Sequence, residues 1–364
     1  MDELTQYIQA ITDEAVFEKV AQQLVTAQRL DTMEFAMQNY QVVWPEAGVA
    51  TLEACETPMP GAGQLLIRTR ATLISPGTER AFFLGLPNTT QRFPQYPGYN
   101  NVGEVAAVGA GVTDWQVGER VATPTRHAAY VLADAATGVR IPAGVNDERA
   151  AFFEMSAIAL QGVRKARIEL GEAVVVIGGG LIGLLAMQLS KIQGAAPVIT
   201  VDQDEQRLDF AQQAGADAVV MADSHLSEEI TRLCSDKGPA VVIEATGHPA
   251  AIPTAFDLAG WCGRVILLGS TRGETEQVNF YRDVHKKGLT VIGAHNSTRP
   301  AHDSRPGWWT RLEDQQTAMK LLALERLVIH PLITHRFSWQ QAPQAYELLK
   351  QWNKDALGLV LHWV

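Results

Sequence analysis

The chain has 364 residues, of which 46% are hydrophobic and 19% are charged. These values are typical of a globular protein that is long enough to form two domains with their own cores. A formal net charge of −10, without a basic cluster in the sequence, argues against a nucleic acid or an anionic membrane as partner. Without a signal-peptide pattern or an apolar run long enough to span a membrane, we expect a cytoplasmic protein.

The first third of the chain combines a helical segment with short β-rich runs. Residues 1–31 have a helical pattern that Thr12 or Asp13 could cap, and we expect this segment to pack against the body of the protein or a partner subunit. Short β-rich runs then alternate with Pro-Gly turns, and they predict a mostly-β domain. These runs cover residues 40–44, 64–69, 102–108 and 120–122.

After about residue 150 the pattern changes to alternating strands and helices. A predicted helix at 151–166 precedes six apolar strand cores, and most of these are separated by helices such as 205–214 and 226–234. The strand cores lie at 173–177, 198–202, 218–221, 240–244, 264–268 and 289–293. This order predicts an α/β domain with a doubly wound parallel sheet. The remaining helices, at 314–323 and 341–352, and a strand at 358–363 resemble neither half, so we expect this part to return to the first domain.

A glycine-rich turn follows the first of these strands. Gly178, Gly180 and Gly183 have the spacing Gly-x-Gly-x-x-Gly, and Leu181 and Ile182 begin the next helix. By itself the triplet could be an ordinary tight turn. Between a buried strand and a helix, however, it is typical of a pyrophosphate-binding turn, where the helix N-terminus faces the anion.

Asp202 ends the second strand, nineteen residues beyond Gly183. A carboxylate at this position accepts hydrogen bonds from the adenosine ribose hydroxyls and repels a 2′-phosphate, which favours NAD over NADP. The alternatives are that Asp202 only caps the helix that starts near Glu205, and that Arg207 tolerates a phosphate. Parallel sheets bind ligands at the carboxyl ends of their strands. Further cofactor-binding candidates at such ends are Thr246, Leu268 and Ser270.

Several motifs in chain order resemble the medium-chain dehydrogenase/reductase superfamily, which includes zinc alcohol and sorbitol dehydrogenases. They are Pro-Gly-Thr-Glu at 76–79, Pro-Gly-Tyr-Asn at 97–100, Val-Gly-Glu-Val at 102–105, Val-Gly-Glu-Arg-Val at 117–121, Glu154, the glycine turn, Asp202 and Gly-Arg-Val at 263–265. The resemblance covers residues 37–364 and implies a GroES-like β domain at 37–153 and 299–364 with an inserted Rossmann NAD-binding domain at 154–298. Residues 1–36 then remain as an N-terminal helical extension. It also implies an active site in the interdomain cleft and a homodimer or dimer-based oligomer.

The zinc-ligand motifs of this superfamily are altered in this chain. Zinc members carry a cysteine where this chain has Pro76 and a histidine where it has Tyr99. Only Glu154 remains, similar to the carboxylate ligand of sorbitol-type members. Because catalytic zinc takes three protein ligands, we expect no metal.

Without a Lewis acid, side chains must accept the proton of an alcohol substrate. The resemblance places four candidates in the cleft: Tyr99, His127, Glu154 and His295. Ala294 and Asn296 flank His295 in the segment that wraps the nicotinamide in family members. For the histidines the alternative is a structural or surface role, and Tyr99 could merely fill the vacant metal site. Glu79 could pair with Arg80 or a neighbouring arginine on the surface.

Polar and aromatic residues between 296 and 311 fit a hydroxylated, carbohydrate-like substrate. We therefore expect Trp309 and Arg311, together with Thr78, to bind substrate. A loop that packs its own tryptophans would give the same pattern.

Three functions are compatible with these observations. The leading hypothesis is an NAD-dependent, zinc-independent oxidoreductase that moves a hydride between nicotinamide and a secondary alcohol, a sugar or polyol derivative. A motif shared with dehydrogenases of large hydroxyethyl-bearing pigments leaves substrate size open. The second hypothesis is a zinc-free enone or quinone reductase, although such members resemble NADPH users and Asp202 argues against NADPH. The third is a non-catalytic NAD-binding sensor or scaffold.

Overall fold

We describe residues 38–234, 237–351 and 355–364 of a computed structural model of the chain. The helix predicted over residues 1–31 lies outside these residues. Residues 40–53 and 58–364 form one compact unit.

The first part of the chain forms most of a mixed, mainly antiparallel sheet. The elements of this part are β1 (Gln38–Glu46), β2 (Val49–Glu56), β3 (Gln64–Ile74), α1 (Pro76–Phe83), β4 (Asn101–Val108), β5 (Arg120–Thr123), β6 (Tyr130–Asp134), β7 (Val139–Arg140), α2 (Asp147–Ala150) and α3 (Phe153–Ala166). Strands β1 and β2 pair with each other in a separate two-stranded sheet. The predicted strands β1, β3, β4 and β5 are confirmed. Strands β2, β6 and β7 and helix α1 were not predicted, because β2 is largely exposed and β6, β7 and α1 are short. The helix predicted at 151–166 starts two residues later, at Phe153. The short helix α2 ends at Ala150, and residues 151 and 152 form a turn between the two helices.

The middle of the chain forms a six-stranded parallel sheet with helices between most strands. Its elements are β8 (Val174–Ile177), α4 (Leu181–Gln193), β9 (Val198–Asp202), α5 (Glu205–Gln213), β10 (Ala218–Met221), α6 (Leu226–Cys234), β11 (Val241–Glu244), α7 (Ala251–Leu258), β12 (Arg264–Leu267) and β13 (Thr290–Gly293). The strand order is β10-β9-β8-β11-β12-β13. This order is that of a dinucleotide-binding Rossmann sheet and confirms the predicted doubly wound architecture.

The last part of the chain completes the mixed sheet that contains β3. It comprises α8 (Arg311–Ala323), β14 (Ile333–Ser338), α9 (Ala342–Lys350) and β15 (Gly358–His362). Strand β15 runs antiparallel to β3, with Leu361 opposite Thr72, and the sheet order is β14-β15-β3-β4-β5-β7 with β6 beside β3. Helix α8 starts three residues before the predicted 314, and the predicted helix end at Trp352 lies outside the described residues. The domain boundaries themselves stay a prediction.

Helix α3 lies in one hydrophobic core with both sheets. Val163 of α3, Val102 of β4 and Val176 of β8 are fully buried members of the same cluster. Apolar residues on nearly every side of α3 explain this burial, because a helix that is apolar all round cannot face solvent. In the described part of the chain, no helix is both long and apolar enough for a membrane span.

Candidate functional site

The glycine turn joins β8 to α4, and each glycine has its own structural reason. Gly178 has φ of +109°, a backbone conformation that side chains disfavour. A Cβ on Gly183 would lie 1.8 Å from the carbonyl oxygen of Gly178, so only glycine lets the helix approach the turn. A Cβ on Gly180, at the helix N-cap, would meet no atom within 4 Å. The space beside Gly180 is therefore free for a ligand.

Two alanine substitutions separate these roles. Gly180→Ala should keep the thermal unfolding temperature but weaken NADH binding, because its methyl group would occupy the open space of the turn. Gly183→Ala should lower both, because its methyl group overlaps backbone. Thermal unfolding and titration of NADH fluorescence measure the two effects. Unchanged NADH binding by Gly180→Ala would place the pyrophosphate elsewhere.

Asp202 is bound to the glycine turn. Its Oδ2 accepts a hydrogen bond from the Gly179 N–H at 2.7 Å, and its Oδ1 accepts one from the Asp204 N–H at 3.0 Å. The helix-cap alternative for Asp202 is wrong, because Asp204 caps α5 by accepting from the N–H groups of Gln206 and Arg207. The carboxylate of Asp202 therefore lies at the glycine turn.

Arg207 packs behind the same turn. Its guanidinium donates to the Ala356 carbonyl at 3.1 Å, and burial lowers its pKa. A Cβ on Gly179 would lie 3.0 Å from the Cβ of Arg207, so the two backbones are close. This carbonyl contact and burial give Arg207 a structural role in the turn.

The carboxyl ends of five parallel strands lie side by side. The register aligns Ile177 with Val201 and Glu244, Glu244 with Leu267, and Leu267 with Gly293. The sequence-predicted candidates lie one to three residues after these positions. Gly178, Asp202, Thr246, Leu268, Ser270 and Ala294 are thus at one edge of the sheet.

Glu244, which was not predicted, organises part of this edge. Its carboxylate is fully buried and accepts from the N–H and hydroxyl of Thr246 and from the Gly247 N–H. Burial raises its pKa. The position of Glu244 at the end of an apolar strand was the available sequence signal. Through its hydrogen bonds, Glu244 fixes the turn that carries Thr246.

Glu154 lies in the first turn of α3 and is fully buried. Its Oε1 accepts from the Arg311 Nε at 3.0 Å and from the Asn296 Nδ2 at 3.3 Å, and its Oε2 accepts from Gln315. The structure thus brings together three predicted residues, Glu154, Asn296 and Arg311. Gln315 was missed because the predicted helix began at 314; a helix from 311 would have placed Arg311 and Gln315 one turn apart.

Glu79 is the centre of a second buried group. Its Oε1 accepts from the Ser75 N–H at 2.8 Å, while its Oε2 accepts from the Tyr346 hydroxyl and contacts the His127 Nε2 at 3.1 Å. Glu79 is only 3% exposed, so the alternative of a surface pair with Arg80 is wrong. Tyr346 was missed, because its contact with Glu79 joins residues far apart in the sequence.

Tyr99 lies beside this group. Burial and the nearby charge of Glu79 raise the pKa of its phenol, and hydrogen bonding to the Ser75 and Thr78 hydroxyls acts in the opposite direction. Glu154 also contributes to the increase. The charges of both Glu79 and Glu154 therefore act on Tyr99, and its phenol stays protonated at neutral pH.

The two predicted histidines have different surroundings. His127 is fully buried, and its Nδ1 has no hydrogen-bond partner within the described ranges. His295 is exposed, and its Nδ1 contacts the Ser297 hydroxyl at 2.7 Å and accepts from the Ser297 N–H at 3.2 Å. His295 thus caps the short 3₁₀ turn Asn296–Thr298.

The tryptophans before α8 pack on α3. The Trp309 ring lies 4.3 Å from the Arg164 guanidinium carbon, and the Trp308 ring lies 4.6 Å from the Lys165 Nζ. These contacts agree with the alternative in which the loop packs its own tryptophans.

Two protein-family models match the two parts of this fold. The family model described as "Alcohol dehydrogenase GroES-like domain" matches residues 61–160, and that described as "Zinc-binding dehydrogenase" matches residues 182–310. The chain belongs to the medium-chain dehydrogenase/reductase superfamily. It is an oxidoreductase with a GroES-like part and a Rossmann part, as the sequence predicted.

Named relatives of this medium-chain oxidoreductase cover most of its length. D-guloside 3-dehydrogenase of Escherichia coli (strain K12) is 28% identical over 67% of this chain and 71% of its own. Sorbitol dehydrogenase of Halalkalibacterium halodurans is 27% identical over 84% and 93%. The crystal structure of galactitol-1-phosphate dehydrogenase from Escherichia coli covers 89% of this chain and 99% of its own, with 22% identity and a TM-score of 0.78. A Sinorhizobium meliloti 1021 dehydrogenase bound to NADP covers 90% and 100%, with 24% identity and a TM-score of 0.76.

The residues at the usual zinc position do not fit a catalytic zinc ion. Of the positions that correspond to ligands in zinc members, Pro76 offers no donor and Tyr99 is a protonated phenol. Glu154 is occupied by Arg311, Asn296 and Gln315. The described residues contain no group of three or more His, Cys, Asp or Glu side chains placed to hold a metal, whereas catalytic zinc takes three protein ligands.

Proposed function

We propose that this medium-chain oxidoreductase transfers a hydride between a secondary alcohol and NAD without zinc. The observation that carries the proposal is the arrangement at Glu154. Where zinc members have a metal-bound carboxylate, the Arg311 guanidinium lies 2.9 Å from this side chain. An organic cation therefore neutralises the carboxylate, and the proton chemistry is left to side chains.

The residues of the sheet edge fit NAD. Gly178, Gly180 and Gly183 would hold the pyrophosphate at the N-terminus of α4, and Asp202 would accept hydrogen bonds from the ribose hydroxyls. Thr246, Leu268, Ser270, Ala294 and Asn296 would line the remaining cofactor surface. When bound, the nicotinamide accepts or gives the hydride.

Tyr99 is the proposed proton donor to the carbonyl oxygen during reduction. Its raised pKa keeps the phenol protonated, and the Ser75 and Thr78 hydroxyls interact with it. In the oxidation direction, Tyr99 accepts the alcohol proton while its own proton passes to one of these hydroxyls, and that hydroxyl gives its proton to the Glu79–His127 pair. The buried Glu79–His127 pair beside Tyr99 would then hold or return a proton, and His295 would stay outside this chemistry as a turn residue.

The substrate we propose is a hydroxylated sugar or polyol derivative. The guloside, sorbitol and galactitol-phosphate dehydrogenases among the similar proteins support this class. The Arg311 side chain is 43% exposed although it contacts Glu154, so part of its guanidinium is free to bind hydroxyl groups. Trp309, which is also partly exposed, offers an aromatic surface for a sugar ring. We further propose a cytoplasmic homodimer or dimer-based oligomer, as the family resemblance implies.

A spectrophotometric screen tests this function. Sugars, polyols, enones and quinones are offered with NAD, NADH and NADPH, and cofactor absorbance is followed. We expect turnover of a polyol or sugar with NAD. Turnover restricted to enones or quinones would support the reductase alternative, and tight NADH binding without turnover of any class would support a non-catalytic role.

A further inference from the structure

A buried guanidinium lies behind the segment that carries Ala294 and Asn296. The Arg299 side chain is only 3% exposed. Its Nε, Nη1 and Nη2 atoms all lack a hydrogen-bond partner in the described parts of the chain. The nearest carboxylate oxygen is Oδ2 of Asp314, 3.7 Å from Nε. Asp314 is thus its ion-pair partner, but the buried N–H groups of the guanidinium make no hydrogen bond, which costs free energy and requires an explanation.

The surroundings of Arg299 have an excess of positive charge. Arg164 and Lys165 of α3 border the same small cavity, and the fully buried Asp314 is the carboxylate in contact with Arg164 and Arg299. Three cations and one carboxylate leave a formal charge of +2. Glu154 does not change this sum, because Arg311 pairs with it. Burial and the charge of Arg299 both lower the pKa of Lys165, as expected for two cations that repel each other.

The cavity limits what could neutralise this charge. It has a volume of about 10 Å³, and Trp308 and Trp309 are among the residues that line it. Such a volume admits a single atom of about the size of a water molecule. A water molecule would accept hydrogen bonds from Arg299 but would leave the charge uncompensated. A monatomic anion would accept the hydrogen bonds and also compensate the charge.

We propose that this cavity is a binding site for a halide ion, chloride in the cell, held by Arg299 with Lys165 and Arg164 around it. The site lies directly behind the proposed nicotinamide wall. Lys165 donates to the Thr298 hydroxyl at 2.8 Å and to the Gly293 carbonyl at 3.4 Å, and Gln161 donates to the Ala294 carbonyl. The ion would stabilise the segment from 293 to 299 by neutralising the cations that support it.

Thermal unfolding in different salts tests this site. The full-length protein is unfolded in sodium chloride, sodium bromide and sodium gluconate at equal ionic strength. We expect a saturable increase in Tm with chloride and bromide relative to gluconate, because gluconate is too large for the cavity. Arg299→Met should abolish this difference. Arg305→Met should retain it, because Arg305 is exposed and does not line the cavity, although its guanidinium carbon lies 5.8 Å from the Trp308 ring.

Crystals of the unmodified protein grown in bromide provide a second measurement, which holds even if Arg299→Met does not fold. An anomalous peak between Arg299 and Lys165 would establish the site. A water molecule there at high bromide, or equal Tm values in chloride and gluconate, would overturn the proposal.

Discussion

Tyr99→Phe should lower kcat/KM for carbonyl reduction by about 10²- to 10⁴-fold, the usual contribution of a general acid. The substitution removes only the hydroxyl, and the ring can still pack where it does now. NADH affinity should stay unchanged, because Tyr99 is not on the cofactor edge of the sheet. Initial rates with the best substrate of the screen, together with an NADH titration, measure both effects.

The surface residue Tyr96 offers a matched control. It is 43% exposed and contacts Arg126 through its ring, so Tyr96→Phe should leave kcat/KM unchanged. The raised pKa of Tyr99 adds a second expectation. Because the phenol should stay protonated up to at least pH 10, the ordinary pKa of tyrosine, its ionisation should cause no loss of reduction rate below that pH. A Tyr99→Phe enzyme with full activity would remove Tyr99 from the mechanism and make His127 the first alternative.

Asp202→Ser should reduce the preference for NAD over NADP by about 10- to 100-fold in the ratio of kcat/KM values. The estimate corresponds to the loss of charge-assisted hydrogen bonds to the ribose, worth about 1.5–3 kcal/mol. Removal of the carboxylate also ends its repulsion of a 2′-phosphate. Because Asp202 also accepts from the Gly179 N–H, Tm should decrease slightly as well.

The neighbouring Asp204 separates the two effects of that substitution. Asp204→Ala removes the N-cap of α5 and should cost about 1 kcal/mol of stability. Its NAD-to-NADP ratio should match that of the unmodified enzyme. If Asp202→Ser leaves the ratio unchanged as well, another residue sets the cofactor preference, and Arg207 becomes the next to test.

The sequence predicted the cofactor side of the site more completely than the reaction side. The parallel strands are short apolar runs, and the register of such strands places their carboxyl ends together, so Gly178, Asp202 and Thr246 follow from local patterns. The contacts of Glu154 with Gln315 and of Glu79 with Tyr346 join residues 161 and 267 positions apart. Local periodicity carries no information about such pairs.

The loop before α8 shows the same limit. Its composition indicated a polar and aromatic segment, and the structure places Trp308 and Trp309 on Lys165 and Arg164. Whether an arginine in such a loop has a partner depends on how the loop closes over α3. The buried state of Arg299 could therefore be found only in three dimensions.

Metal content of the active enzyme tests the central claim most directly. The purified protein is dialysed against a chelator, and the metal per chain and the turnover of the same sample are measured together. Zinc-free hydride transfer predicts full turnover with only trace zinc, and added zinc should not increase the rate. About one zinc per chain, with turnover that is lost on chelation and restored by zinc, would contradict it.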